Sequence, residues 1–228
     1  MIEEILPASV IAVEARHDSP SGGLFTTEEA VVEHAVEKRR REFTTGRACA
    51  HDALEQLGLP PSPILSGERG EPRWPAEVVG SITHCDGYRG CAVARISEIA
   101  TVGIDAEVNA ALPEGIEAAI ARPEELAWLR ELKREAPAVH WDRLLFSAKE
   151  SVYKAWFPLT KLWLDFEEAS IVVDPSTGTF FARLLVPGPL LGERRVTAFS
   201  GKWLVRDGLI LTAIALPPPI DPAARDGL

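Results

Sequence analysis

Two carboxylates stand one residue apart in Gly103-Ile104-Asp105-Ala106-Glu107. In a strand, side chains alternate, so Val102, Ile104 and Ala106 share one face while Asp105 and Glu107 share the other. Their mutual repulsion is relieved by a hard cation such as Mg²⁺, which takes one or two carboxylates together with phosphate oxygens and water. Two solvated acids on a strand edge are the alternative. A third acid, Glu150, lies in FSAKESVYKAWF. On a helix, Phe146, Glu150, Tyr153 and Phe157 fall on one face. A carboxylate desolvated among aromatic rings needs a compensating cation or partner. Glu150 then reads as a third metal ligand or a base, with Lys149 and Lys154 left for phosphate. The bland alternative is a surface pair between Glu150 and Lys154.

Phosphate chemistry has two further candidates. Lys38-Arg39-Arg40-Arg41 is followed by Arg47. Guanidinium groups fork onto phosphate oxygens. On a continuous helix Arg40 lies nearly above Arg47, and Arg39 sits about 80° away, still able to converge. A solvated helix face is the alternative. In Gly80-Ser81-Ile82-Thr83-His84-Cys85, Thr83 and His84 end a strand and offer a hydroxyl, an imidazole and backbone N–H groups to a phosphate, or serve the strand end structurally. Cys85 beside His84 lacks a recognisable orienting Asn or Asp, which argues against a thiol nucleophile.

The elements that must position these groups are legible from pattern. Thr26 and Glu29 form a capping box before a helical run, TTG at 44–46 interrupts it, and Gly58 with Pro60 ends the resumed helix. Residues 58–77 form an ordered loop. Strands are expected at 78–84, 90–96 and 100–107. An acidic helical stretch in 108–140 precedes a helix, WDRLLFSAKESVYKAWF, closed by Pro158. Four more strand runs follow, at 168–173, 179–186, 194–205 and 209–216. The turn cluster HDSPSGG and a fraying Pro-rich tail complete the chain. Each half reads as helix then strands, which gives an α+β fold of two similar lobes, 1–107 and 108–228. The 228 residues carry a net charge of -10, which argues against nucleic-acid binding. No apolar run is long enough to cross a membrane, the acidic start lacks a secretory signal, and an odd set of three cysteines fits a reduced cytoplasm.

In order along the chain, RRREFTTGRACAHDAL, GERGEPRWP, GSITHCDGYRG, VGIDAE and FSAKESVYKAWFPLTK resemble the larger, monomeric class of 4′-phosphopantetheinyl transferases, which serve peptide, polyketide and siderophore synthases. The resemblance implies two α/β lobes related by a pseudo-twofold axis with the active site in the cleft between them. It implies transfer of the phosphopantetheine arm of coenzyme A to a serine of an apo acyl or peptidyl carrier protein, with release of adenosine 3′,5′-bisphosphate and a requirement for Mg²⁺. By the same resemblance, Asp105, Glu107 and Glu150 bind the metal, Glu150 is the proposed base, and Lys149 and Lys154 face the pyrophosphate. Thr83 with His84 meets the 3′-phosphate, Arg39 and Arg47 take the nucleotide phosphates with Arg40 a substitute, and Arg69 is the one cation left in the adenine loop. The serine comes from the partner, so no internal triad is needed. A Mg²⁺-dependent phosphohydrolase and a non-catalytic coenzyme A- or carrier-binding protein are the competing readings. Carrier docking is expected on apolar contacts, either Leu126, Trp128 and Leu129 or Trp156, Phe157 and Leu159.

Overall fold

A computed structural model describes residues 1–18 and 23–219. Part of the HDSPSGG turn and the tail beyond Pro219 lie outside the described residues. The first half holds β1 (Ile11–Ala15), α1 (Thr26–Val32), α2 (Glu37–Gln56), the short hairpin β2 (Leu65–Ser66) and β3 (Pro72–Arg73), then β4 (Val78–Cys85) and β5 (Tyr88–Arg95). The second holds β6 (Thr101–Val108), α3 (Ile116–Ile120), α4 (Pro123–Glu135), α5 (Trp141–Thr160), β7 (Ala169–Asp174), β8 (Thr179–Leu184), β9 (Leu190–Leu191), β10 (Arg194–Arg195), β11 (Ala198–Arg206) and β12 (Leu209–Leu216).

Two antiparallel sheets carry the site, with strand orders β1-β5-β4 and β6-β12-β11-β8-β7. In both, the first strand pairs with the last, and a 20-residue helix, α2 or α5, accompanies the sheet. This is the expected two-lobed α+β arrangement. The expected boundary after residue 107 is corrected by the strand pairing. β6 hydrogen-bonds along its whole length to β12, with Asp105 opposite Thr212 and Glu107 opposite Ile210, so it opens the second sheet. Each half is therefore a strand, then helices, then a meander.

Three apolar clusters hold this together. One lies under α2 with Ala50, Leu54, Cys91 and Val93. Another lies under α5 with Trp141, Leu145, Val152 and Phe199. The third joins the lobes, bringing Tyr88 and Ala92 of β5 against Ile104 of β6 and Leu211 of β12. Burial also overrides local signals. Thr44, Thr45 and Gly46 do not break α2, because this stretch is buried and the packing outweighs the roughly 1 kcal/mol helix penalty of glycine. The break falls instead at residues 33–36. The cap of α1 moves one residue back. Glu28, fully buried, accepts the Phe25 N–H at 2.9 Å and the Ile64 N–H at 2.8 Å, a tertiary bond unavailable to an exposed Glu29. α5 runs past Pro158 to Thr160 and closes with Lys161 in the left-handed region, since a proline in the last turn forfeits a single backbone bond.

Candidate active site

β6 meets α5 at unusually close range. A Cβ on Gly103 would lie 2.1 Å from the Ser151 carbonyl oxygen and 2.7 Å from the Ala155 nitrogen, so only glycine permits the contact. Thr101 Oγ1 donates to the Ala155 carbonyl at 2.8 Å, and Ser147 and Thr212 pair their hydroxyls at 2.9 Å across α5 and β12. This packing sets Lys154 Nζ 2.7 Å from Asp105 Oδ1. At the other end of α5, Arg143 Nη1 lies 2.9 Å from Glu107 Oε2.

The Asp105 charge reaches both other acids. Burial pushes the Glu107 carboxyl above its ordinary range and the Asp105 charge adds to this, while Arg143 pulls it back. Burial likewise raises Glu150, Lys154 opposes it, and Asp105 again raises it. Asp105 Oδ2 is buried with no hydrogen-bond partner among the described residues. Among those residues no three His, Cys, Asp or Glu side chains already form a metal-holding group. Lys154 and Arg143 sit against Asp105 and Glu107 instead. An orphaned buried oxygen on Asp105, in a set of oxygen donors, still suits a hard divalent cation.

The other sheet meets β6 through two hydroxyls rather than a backbone ladder. Ile104 N–H donates to Ser81 Oγ at 3.1 Å and Ala106 N–H to Thr83 Oγ1 at 3.0 Å. Thr83 in turn donates to Asp105 Oδ1 at 3.2 Å and accepts from Lys154 Nζ at 3.5 Å. A hydroxyl has one donor and two acceptor positions. Here they are taken up by β6, Asp105 and Lys154, so Thr83 makes a positioning bond on β6 and Asp105. One residue on, His84 points elsewhere. Arg39 Nη1 lies 3.2 Å from its Nε2, and Glu42 Oε2 is 3.7 Å from its Nδ1. Burial is the main cause lowering the His84 pKa, with Glu42 opposing.

The remaining cations divide. Arg47 is buried, its guanidinium 4.5 Å from the Phe43 ring centroid and 3.4 Å from Ser66 Oγ, with Nε 4.0 Å from Glu28. Burial lowers its pKa, Glu28 opposes this, and the Arg39 charge adds a smaller lowering, which puts the two arginines within electrostatic reach. Arg40 donates to the Glu33 carbonyl at 2.9 Å. Lys149 faces away from the acids. Its ammonium donates to Glu125 at 2.8 Å and to the carbonyls of Phe166 and Ala169 at 2.6 and 3.1 Å. With three bonds made in the core, the expected pyrophosphate contact of Lys149 is corrected to a tie between α5, α4 and β7. A cavity of about 680 Å³ opens between the halves, lined by Arg69, Trp74 and Ser81 on one side and Glu150, Tyr153 and Phe157 on the other. Arg69 lies 5.7 Å from the Trp163 ring centroid.

Residues 27–94 match the family described as 4′-phosphopantetheinyl transferase N-terminal domain, and residues 101–207 match the 4′-phosphopantetheinyl transferase superfamily. The chain is 54% identical to 4′-phosphopantetheinyl transferase Svp of Streptomyces mobaraensis, over 96% of this chain and 90% of that one. It is 48% identical to 4′-phosphopantetheinyl transferase PptT of Mycobacterium tuberculosis, over 95% and 98%. Enterobactin synthase component D of Salmonella typhi is 31% identical over 79% of this chain and 74% of its own length. The chain belongs to the 4′-phosphopantetheinyl transferase superfamily.

Several residues of this transferase escaped the sequence reading. Arg143 precedes Glu150 by seven residues, two helical turns, so helical spacing alone could have placed it on the same face. Ser81, two residues before Thr83 in β4, could have been found by strand alternation. Glu42 and Glu28 carried no local signal. Of the residues expected to dock a carrier, Leu129, Trp156 and Phe157 are buried in the core, while Leu126, Trp128 and Leu159 are partly buried. Leu162 and Trp163, just beyond α5, are exposed. Burial and the nearby acids push the Cys85 thiol up to about 12, which keeps it protonated.

Proposed function

We propose that this transferase moves the phosphopantetheine arm of coenzyme A to a serine of an apo acyl or peptidyl carrier protein, with Mg²⁺ held by Asp105, Glu107 and Glu150, releasing adenosine 3′,5′-bisphosphate. The observation that carries the reading is Lys154, which pairs with Asp105 and lines, together with Glu150, a cavity between the two halves. A Mg²⁺ held by these acids would supply positive charge to stabilise the pyrophosphate oxygens. Lys154, held 2.7 Å from Asp105, can donate to the same oxygens. Glu150 accepts the serine proton as general base. Arg39 and His84, half exposed and adjacent, take the nucleotide phosphate, and Arg47 stands behind them. Arg69 lines the cavity by the adenine loop. The chain acts as a cytoplasmic monomer, because both halves of the cleft belong to one chain and all three cysteines are free thiols.

The deciding test is intact mass spectrometry of an apo carrier protein incubated with this protein, coenzyme A and Mg²⁺. The expected result is a mass gain of one phosphopantetheine on the carrier. Free phosphopantetheine with an unmodified carrier would make the protein a hydrolase, and no product would make it a binding module.

A further inference from the structure

Glu107 occupies the penultimate position of β6, where a flexible side chain is poorly constrained by the ladder. Yet its carboxylate is held. Arg143 reaches from α5 with its whole fork: Nη1 donates to Glu107 Oε2 at 2.9 Å, Nε to the Ala110 carbonyl at 3.1 Å and Nη2 to the Ala111 carbonyl at 3.0 Å. We propose that Arg143 is a positioning residue for the divalent-cation site, fixing Glu107 to the loop that leaves β6 and to the helix that carries Glu150.

The reasoning is geometric. Arg143 and Glu150 lie two turns apart on one rigid helix, and α5 is locked to β6 by the Gly103 contact and the Thr101 bond. A clamp on Glu107 from the helix that carries Glu150 fixes the relation between two carboxylates on different elements. Arg143 engages one oxygen of Glu107, and a carboxylate has a second, so a clamped Glu107 can still ligate. The planar guanidinium can satisfy three acceptors at fixed angles, which a lysine ammonium on a flexible stem cannot reproduce. Partners that orient ligating carboxylates in this way typically contribute 10- to 100-fold in metal affinity. The inference rests on the metal-assisted transfer proposed above.

The test reads metal binding without turnover. Free Mn²⁺ is followed by electron paramagnetic resonance while the full-length parent, Arg143→Ala and Arg143→Lys are titrated, with and without coenzyme A. Arg143→Ala is expected to weaken Mn²⁺ affinity about 10- to 100-fold. Arg143→Lys keeps the charge but loses the fork, and is expected to weaken it as well. Coenzyme A affinity measured in chelator should be unchanged in both. Unchanged or tighter Mn²⁺ binding by Arg143→Ala overturns the clamp, as does parental affinity in Arg143→Lys, which carries the decision if the alanine variant fails to fold. A parent that binds no Mn²⁺ even with coenzyme A overturns the metal reading and the clamp together. Parental binding with unaffected variants overturns the clamp alone.

Discussion

Glu150 works against the stability of the fold that holds it. Burial raises its pKa, so the folded state favours the protonated form. The folded protein binds this proton more tightly than the unfolded chain, and the contribution to stability is present at low pH and lost as pH rises through the raised pKa. At neutral pH the Glu150→Gln variant should therefore melt higher than the parent, read by thermal unfolding. It should also lose transfer by about 10²–10⁴-fold, the usual contribution of a general base. Raising Mg²⁺ should partly restore Asp105→Asn, which keeps Glu150 as the base although its ion pair with Lys154 is weakened, and should leave Glu150→Gln inactive. Carrier modification rates across a Mg²⁺ series check this, and full rescue of Glu150→Gln would reduce Glu150 to a ligand. On the phosphate side, losing a charge-assisted contact costs roughly 1.5–3 kcal/mol. Arg39→Ala and His84→Ala should thus weaken coenzyme A binding about 10- to 100-fold while sparing its 3′-dephospho form. Thr83→Val should leave that donor discrimination intact and lower activity with both donors, because its hydroxyl positions Asp105 and the Ala106 N–H. Equal loss with both donors in His84→Ala would remove His84 from the 3′-phosphate.

The helix α5 and strand β6 act as one packed unit, and their contact surface tolerates little change. Gly103→Ala drives a methyl into backbone atoms of α5 that cannot rotate away. Overpacking of this kind typically costs about 1–3 kcal/mol. The variant should unfold at lower denaturant and bind Mg²⁺ more weakly, because β6 must move from Lys154 and Glu150. A variant with parental metal affinity would show that the close approach matters only for stability. Lys149 makes the contrasting case on the opposite side of α5. Lys149→Met leaves Glu125 buried without its cation, a loss of about 3–5 kcal/mol. Its folded fraction should keep the parental KM for coenzyme A, and Glu125→Gln in the same chain should recover part of the stability. A selective rise in KM for coenzyme A in Lys149→Met would return the lysine to the pyrophosphate.

For the molecule as a whole, the cleft lies within one chain, so sedimentation should give a single species of monomer mass with full activity. An obligate oligomer that loses activity on dissociation would overturn that. The negative net charge leaves carrier recognition to local contacts rather than global attraction. Much of this was determined by the sequence itself. GIDAE alternates because a strand must, placing Asp105 and Glu107 on one face, and the aromatic face of α5 marks Glu150 as a desolvated acid. Helix spacing also holds Arg39 near Arg47. Those relations are local, set by periods of two and 3.6 residues. What the tertiary structure decided is which groups face one another across elements. Lys149 and Lys154 look equivalent in AKESVYK, yet they lie on different faces of α5, and only the positions of α4 and β7 reveal that Lys149 is committed to the core. Thr83 reads as a free hydroxyl until β6 is laid beside β4 and uses all of its hydrogen-bonding capacity. β6 itself reads as the end of one lobe and proves to be the first strand of the next, since strand pairing depends on hydrogen bonds to a segment about a hundred residues away, which no local period encodes.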